Sequence, residues 1–539
     1  MVSLPIFIII LGILVMAATN TSITLDTDPK GQTFETLTAD TAVTFDTDQQ
    51  LPKEGTYQVK ERYISMEVTQ PSTGEKQTIR VLVREPQGAG EGLPGMVFMH
   101  GAGYGTCDNS FGDVAGSMAS AGFVTAVLDK PVWSTTDLNR DYPGSAVAYD
   151  QVIDYVRSLK QVNAKKVGVY ATSESTWITP FLLERDHDIA FQLLLSPMVF
   201  NPRHSLAYLA GQNFALSGAN EGYQNIVARI FSLDLDLFGL HNIDLDVRVP
   251  QAYSVPTYVA YGSKDVMTAQ VQDFKEILKL AHEAGNWDVT LRSYPIANHV
   301  LRLGDEAQEG TPFADDYVRD AVSWAVGTSR GLKQTSEPLA GTQLYQSIAV
   351  PLDLHARRGM TIYAVIVLGL MVLSLLVAFV VAVVALIRHI RYRITRKGHA
   401  LGFQYGFGKS LLMLTLVTLA AMAIFLGGLV EVVMAVVRLA WGSAPPDDAG
   451  MMYWSWPVIQ VMCVVVVWAW SWVFMHMLEV ASVRGLLTWP PRRGELRAIV
   501  SGKSPVIATT RLGRTLFWSV TIAMLLVLLS FSFWGLFLF

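Results

Sequence analysis

Three residues have the types, order and spacing needed for serine-based acyl transfer, namely Ser173, Asp265 and His299. Ser173 ends a strand-like run and stands between small residues, Ala171 two positions before it and Ser175 two positions after it. This pattern is typical of a nucleophile elbow, a tight strand-to-helix turn that exposes a serine oxygen at the end of a strand. Because the second small residue is a serine rather than a glycine, the match to G-x-S-x-G is partial.

Asp265 and His299 supply the other two groups of this chemistry. Asp265 closely follows the apolar run 257–261, and His299 stands in a loop further along the chain. A histidine there accepts the serine proton and passes it to the leaving group, while a carboxylate orients the histidine and stabilises its imidazolium form. The alternative role for Asp265 is the N-cap of a helix that begins near Met267. The order Ser…Asp…His is one of the known orders for such a triad, and we expect all three residues to be catalytic.

A glycine-rich turn, His100-Gly-Ala-Gly103, follows another apolar run at 95–99. Small residues at such a turn let backbone N–H groups face the site, where they stabilise the oxyanion that forms when the serine attacks a carbonyl. We therefore expect the oxyanion hole at Ala102, Gly103 and Glu174. The alternative is an ordinary glycine-rich turn, which is common after strands.

Ser175 and Cys107 are the alternative nucleophiles. Ser175 falls inside the first turn of the predicted helix, too far past the strand to occupy the elbow. Cys107 lies near the glycine-rich turn, but no neighbouring motif activates it, and a small buried residue is the simpler interpretation. Cys463 lies in a predicted membrane span, so the sequence predicts no disulfide. The sequence has neither a cysteine cluster nor an H-E-x-x-H motif, and we expect no metal and no cofactor.

The elements around these residues alternate between short apolar runs and helical stretches. Strands are predicted at 95–99, 123–128, 166–170, 191–195 and 257–261, helices at 111–120, 145–160, 176–185 and 268–284, and an antiparallel strand pair at 57–68 and 77–84. This alternation predicts an α/β domain over residues 55–326, with a mainly parallel sheet wrapped by helices. Residues 198–249 interrupt it on the side where the loops converge. We expect them to form a cap over the site, the alternative being extra helices that only pack.

The last third of the chain is expected to lie in a membrane. The chain is 51% hydrophobic and only 16% charged, and the apolar excess is concentrated in runs at 360–387, 410–437, 456–477 and 516–539. Each run is long enough for the roughly 20 residues of helix that cross a bilayer. Residues 1–18 are interpreted as either a signal peptide or an uncleaved anchor, 19–54 as a loose lead-in and 327–359 as a polar tether.

Basic residues set the expected orientation of these spans. The loops after the first and third spans are rich in Lys and Arg, whereas the loop after the second carries Asp447 and Asp448. The positive-inside rule then places the basic loops in the cytoplasm and the α/β domain outside, in a multi-pass plasma-membrane protein. A net charge of -5 and an outer domain without a basic patch argue against nucleic acid as a partner. The cations of the two loops are Arg388, Arg391, Arg393, Arg396, Lys397, Lys409, Arg484, Arg492, Arg493, Arg497, Lys503, Arg511 and Arg514.

Four segments carry a resemblance to a known family: His100-Gly-Ala-Gly, Thr125-Ala-Val-Leu-Asp-Lys130, Val167-Gly-Val-Tyr-Ala-Thr-Ser-Glu and Asp188-Ile-Ala-Phe-Gln-Leu-Leu-Leu-Ser. Over residues 57–324 the chain resembles the α/β-hydrolase superfamily, and within it the dienelactone-hydrolase, acyl-thioesterase and prolyl-oligopeptidase-like serine hydrolases. The resemblance implies an α/β-hydrolase fold, here joined to four C-terminal transmembrane helices, and an acyl-enzyme on Ser173. The chain departs from the family at Ser175 and at Asp129-Lys-Pro-Val, where the family often has Asp-Lys-Arg-Gly.

Together these observations predict a membrane-anchored serine hydrolase that cleaves an ester, thioester or amide at the outer face of the membrane. Its substrate would be a small molecule or an acyl group of a lipid or of the cell envelope. Two alternatives remain open at this stage. The first is a non-catalytic binding or scaffolding module whose four helices hold a membrane-protein partner, and the second is an acyltransferase that uses the same triad.

Overall fold

The computed structural model describes residues 3–23, 25, 32–135, 139–304, 310–395, 401–440, 443–485, 494, 498 and 506–539. Several residues on which the predicted orientation rests lie outside these ranges, namely Arg396, Lys397, Arg492, Arg493, Arg497 and Lys503.

A nine-stranded sheet forms the centre of the α/β domain. From one edge to the other its strands are β10 (Leu339–Gly341), β9 (Val289–Tyr294), β8 (Thr257–Gly262), β7 (Gln192–Leu195), β6 (Val162–Thr172), β4 (Leu93–Met99), β5 (Val124–Leu128), β3 (Lys76–Pro86) and β2 (Val59–Thr69). Strand β3 runs antiparallel to both β2 and β5, and every other neighbouring pair is parallel. A mainly parallel sheet with this order and one antiparallel strand near its end is the α/β-hydrolase fold, as the sequence predicts.

Helices cover both faces of this sheet because its central strands are apolar on both sides. The helices α3 (Tyr142–Arg157), α4 (Thr179–Arg185) and α7 (Gln270–Glu283) pack on one face, and α2 (Gly112–Ser120) and α8 (Tyr317–Thr328) on the other. Successive strand residues point to opposite faces, so Val169 joins the first core and Tyr170 the second. Local sequence fixes the start of α3, where the Asp141 carboxylate caps the helix by accepting from the Gly144 N–H at 2.8 Å.

Two helices and two short 3₁₀ turns lie between β7 and β8, in the region expected to form a cap. They include α5 (Pro202–Leu216) and α6 (Glu221–Phe231). Each helix begins at an asparagine whose side chain accepts a backbone N–H, Asn201 for α5 and Asn220 for α6.

The C-terminal region contains four long apolar helices, α9 (Arg358–Thr395), α10 (Phe407–Ala440), α11 (Met451–Val483) and α12 (Arg511–Phe533), each long and apolar enough to cross a membrane. The last predicted span was displaced towards the C-terminus, because α12 begins at Arg511 and ends at Phe533, after which turns follow. The N-terminal apolar run forms α1 (Ser3–Asn20), which packs against α11 and α12. Its Leu14 carbonyl accepts from Ser532 Oγ at 2.7 Å.

The lead-in and the tether are more ordered than the sequence predicts. Residues Gln32–Phe34 form strand β1, which pairs antiparallel with β11 (Leu344–Gln346), and β10 extends the main sheet beside β9. The expectation of a loose lead-in and a simple tether was therefore wrong for these parts. Both segments instead complete the edge of the domain that carries β9, where backbone groups would otherwise be unpaired.

The inserted segment between β7 and β8 also packs directly against the four apolar helices. The hydroxyl oxygen of Tyr223 on α6 lies 2.9 Å from Ser455 Oγ on α11, and the Tyr223 ring packs edge-on against Trp456. Gly222 is required at this contact, since a Cβ there would lie 1.8 Å from the Trp456 indole. The Asp234 N–H donates to Thr361 Oγ1 of α9 at 2.7 Å. The α/β domain and the helices therefore share one extended interface.

Candidate active site

Ser173 lies at the sharp turn between β6 and a 3₁₀ turn at Ser173–Trp177. Its backbone has a φ of 52°, a left-handed conformation that costs a non-glycine residue of order 1–3 kcal/mol and persists only where the surroundings impose it. The turn packs closely against Gly101, because a Cβ on Gly101 would lie 3.3 Å from the Ser173 Cβ. This is the backbone geometry of a nucleophile elbow.

Ser175 occupies the position of the missing elbow glycine without opening the turn. Its hydroxyl lies 2.9 Å from the carbonyl oxygens of both Met99 and Thr172, and it accepts from the Thr172 N–H at 2.8 Å. The side chain is fully buried. Ser175 therefore links the ends of β4 and β6 and faces away from the cavity beside Ser173.

The side chains of His299 and Asp265 lie beside that of Ser173. His299 Nε2 lies 2.8 Å from Ser173 Oγ, and His299 Nδ1 lies 3.1 Å from each carboxylate oxygen of Asp265. With the histidine proton on Nδ1, the ring donates to Asp265 and accepts from the serine hydroxyl. All three side chains are buried. This arrangement can remove the serine proton and stabilise the imidazolium that results.

The Asp265 carboxylate is held in its ionised form. Burial alone would raise its pKa, but the charge and hydrogen bond of His299, with hydrogen bonds from Thr268 and Met267, bring the pKa below its usual value. Thr268 Oγ1 donates to Asp265 Oδ2 at 2.5 Å and the Met267 N–H donates to Oδ1 at 2.8 Å. These bonds hold a local turn, but Asp265 is not the helix N-cap offered as the alternative, because α7 begins at Gln270 and its N-cap residue is Ala269.

The three oxyanion-hole candidates are not equivalent. Ala102 and Glu174 line the same cavity as Ser173. Gly103 is not among the described residues that line it, and its carbonyl oxygen accepts from Lys130 Nζ at 3.3 Å. Ala102 and Glu174 are therefore the candidates that the geometry favours.

A buried ion pair that sequence reasoning missed joins the glycine-rich turn to the elbow. Lys130 Nζ lies 3.0 Å from Glu174 Oε2 and donates to the Gly101 carbonyl at 2.6 Å, while Arg140 Nε lies 3.2 Å from the other Glu174 oxygen. Burial lowers the pKa of Lys130, and the charge of Glu174 partly offsets that effect. The sequence signal for this ion pair was the Asp129-Lys-Pro-Val segment, which differs from the Asp-Lys-Arg-Gly that the family often has. That difference alone did not indicate a partner for Lys130.

A cavity of about 340 Å³ lies beside Ser173. The part nearest the sheet is formed by Ala102, Ser173 and Glu174, and the opposite wall by residues of the inserted segment. The lining residues from segment 198–249 are mostly apolar and comprise Met198, Pro202, Leu206, Leu209, Leu240, Asn242 and Ile243. The segment between β7 and β8 thus lines the cavity beside Ser173.

A second cavity of about 230 Å³ lies on the other side of the glycine-rich turn. Ala102 lines both cavities, and the second is also bordered by Tyr104, Asp113 and Arg302. It is more polar than the first. Ala102, the residue expected to supply an oxyanion donor, therefore borders one mainly apolar and one more polar cavity.

Cys107 does not have the surroundings of a reactive thiol. It is buried, and burial together with a hydrogen bond to Asp129 raises the pKa of its thiol to about 12. A protonated thiol is a poor nucleophile. Both Cys107 and Cys463 are free and buried.

No protein-family profile and no curated protein matches this chain. Solved structures do match about half of it. A protein assigned as a dipeptidyl aminopeptidase IV from Bacteroides ovatus is 13% identical over 51% of this chain and 36% of its own length, with a TM-score of 0.36. The 2,6-dihydroxy-pseudo-oxynicotine hydrolase is 15% identical over 52% of this chain and 71% of its own, with a TM-score of 0.35. A bacterial heroin esterase is 17% identical over 51% of this chain and 85% of its own length, with a TM-score of 0.33.

Proposed function

We propose that this chain is a membrane-anchored serine hydrolase whose nucleophile is Ser173. The observation that carries the proposal is the contact chain from Ser173 Oγ to His299 Nε2 at 2.8 Å and from His299 Nδ1 to Asp265 at 3.1 Å. His299 removes the hydroxyl proton as Ser173 Oγ attacks the carbonyl carbon, and it then protonates the leaving group. Water, activated by the same histidine, hydrolyses the acyl-serine and regenerates the free enzyme.

Backbone N–H groups of Ala102 and Glu174 are proposed to stabilise the oxyanion. Both residues border the cavity at Ser173, and Lys130 holds the two segments that carry them through Gly101 and the Glu174 side chain. Preorganised donors of this kind contribute about 2.7–4 kcal/mol each to the stabilisation of the transition state. Lys130 acts as a positioning residue in this scheme.

The two cavities suggest how a substrate is divided. The apolar cavity under the cap suits the acyl part, and the more polar cavity beyond Ala102 suits the leaving group. A cavity of about 340 Å³ is within the usual range for small-molecule sites. We therefore propose an ester, thioester or amide with an apolar acyl group as the substrate class.

The proposed location is the outer face of the plasma membrane. The basic loops support a cytoplasmic position for the ends of the spans away from the cap. The packing of α1 against α11 and α12 supports a retained anchor rather than a cleaved signal peptide. Contacts of the cap with Ser455 and Thr361 then hold the active site close to the bilayer surface.

The first test is labelling of membranes with a fluorophosphonate probe, which reacts with activated serines. We expect labelling of the wild type and of Ser175→Ala, and loss of labelling in Ser173→Ala. Ser175 is the matched control because it lies two residues away and its hydroxyl serves the turn. A folded wild type that takes no label would refute the proposal and favour a non-catalytic binding module. Active protein would next be assayed on acyl esters, thioesters and amides, with water and alcohols as competing acceptors.

A further inference from the structure

A third cavity, of about 370 Å³, lies between the cap and the membrane helices. Its wall includes Ile226 and Ile230 of α6, Met371 of α9, Met422 and Leu429 of α10, and Phe531 of α12. Apart from Ser530 and the Trp534 indole, every lining side chain is hydrocarbon or thioether. It shares no lining residue with the cavity at Ser173.

The cavity extends into the depth expected for the hydrocarbon core. On α10 its lining residues run from Met422 to Val433, which corresponds to about 16 Å at 1.5 Å per residue. One leaflet of a bilayer contributes roughly 15 Å of a hydrocarbon core that is about 30 Å thick. The length of the cavity along α10 therefore matches the length of one acyl chain in one leaflet.

The cavity also has an opening towards lipid. Helix α9 packs along α12 and α10 packs along α11, whereas α9 and α10 make at most marginal contact over their described residues. Two lining residues of α10 are exposed, Leu426 at 49% and Val433 at 44% of their full accessible surface. A chain that enters from the side passes between α9 and α10 without leaving the hydrocarbon region.

We propose that this cavity binds one acyl chain of a bilayer lipid, with its far end between α9 and α10 and its near end against α6 of the cap. At this depth hydrocarbon chains are the surrounding solvent, and a wall whose polar side chains are Ser530 and Trp534 gives water few hydrogen-bond partners. Met371 and Met422 supply unbranched, flexible side chains that adapt to a mobile chain. The site is independent of the chemistry at Ser173.

The test uses the full-length protein in phosphatidylcholine vesicles that contain a trace of phosphatidylcholine with a diazirine in its acyl chain. After irradiation, cross-linked residues are identified by mass spectrometry. We expect cross-links to be enriched several-fold at Met371, Met422 and Phe531 over equally deep residues on the outer faces of the helices. Equal labelling of lining and outward-facing residues would overturn the proposal.

Variants that fill the cavity sharpen this test. Leu429→Trp fills it from α10, and Ile230→Trp fills it from the cap, where it disturbs no packing between membrane helices. Leu416→Trp is the matched control, because Leu416 lies on α10 outside the cavity and is 59% exposed. Cross-linking of the lining residues should fall in both filled variants and stay unchanged in the control. Unchanged cross-linking in Ile230→Trp, with wild-type elution on size exclusion, would contradict the assignment.

Discussion

Replacing Lys130 by methionine is expected to destabilise the α/β domain and to slow the reaction of Ser173. The Lys130 side chain is 1% exposed, and its ammonium contacts Glu174 and the carbonyl oxygens of Gly101 and Gly103. Methionine fills a similar volume but leaves the Glu174 carboxylate with its contacts to Arg140 and Tyr142 alone, and the Gly101 carbonyl loses the Lys130 donor. The substitution therefore separates the charge of Lys130 from its bulk.

The expected magnitude follows from the burial of the pair. Removing one partner of a buried ion pair costs about 3–5 kcal/mol. Arg140 still neutralises part of the Glu174 charge, and the cost of burying the Lys130 ammonium is relieved, so we expect about 3 kcal/mol. For a domain of this size that corresponds to roughly 9 °C in the unfolding temperature. Fluorophosphonate labelling of Ser173 should slow by up to about 100-fold, since the turn that carries Ala102 loses its support.

A second substitution distinguishes the ion pair from simple packing. Glu174→Gln in the Lys130→Met background removes the stranded carboxylate, so the double variant should unfold at a higher temperature than the single variant. Lys76→Met is the matched surface control, because Lys76 forms a comparable contact with Glu67 at 2.7 Å in full solvent, and it should leave the unfolding temperature unchanged. A double variant no more stable than Lys130→Met would refute the reasoning.

Three further outcomes are expected. Ser175→Ala should lower the stability of the domain by about 2 kcal/mol, measured as the unfolding temperature, because the buried Thr172 N–H loses its acceptor. Ser175→Gly should unfold at a lower temperature than Ser175→Ala. A glycine variant more stable than the wild type would contradict this account. Asp265→Asn should reduce turnover about 10⁴-fold because the amide favours the wrong tautomer of His299. Because the pKa of Asp265 is depressed, its stabilising effect is present above about pH 4 and is lost as the pH falls further, so the unfolding temperatures of wild type and Asp265→Asn should converge in acid. Leu206→Trp should shift the preference among acyl esters towards shorter acyl groups, visible as a raised KM for long chains and no change for acetyl esters.

Local patterns were enough to predict the central strands and the three residues that meet at the elbow. The strands β4, β5, β7 and β8 and the end of β6 from Val167 are short and apolar, and each ends near a turn residue, so their type and order could be predicted from the sequence. The position of His299 follows from the chain order of the triad residues. The sequence could not show that the elbow accommodates a serine at position 175 in place of glycine. The Ser175 hydroxyl fits there because it contacts the carbonyl groups of Met99 and Thr172, which converge only in the folded chain.

Strand β9 was missed because its stabilisation is not local. It contains Arg292, which is fully buried, and such a residue predicts an exposed segment. The guanidinium donates to carbonyl oxygens of Thr41 and Pro338, which belong to the lead-in and to the tether. The same two segments were expected to be loose because they lack periodicity. Their order and the burial of Arg292 depend on each other, and no window of sequence contains both.

For the proposed hydrolase, the pairing of β1 with β11 has a consequence for how a substrate reaches Ser173. Register places Thr33 opposite Tyr345, so the chain approaches the domain after α1 and leaves it before α9 at neighbouring points. Two adjacent attachments restrict the rotation of the α/β domain about the bilayer normal more than a single flexible attachment does. They also narrow the range of distances between Ser173 and the membrane surface. Confinement of this kind raises the effective concentration of the proposed nucleophile, Ser173, for bonds at one depth. Selectivity then depends on how far a scissile bond stands from the membrane surface as well as on the shape of the acyl cavity.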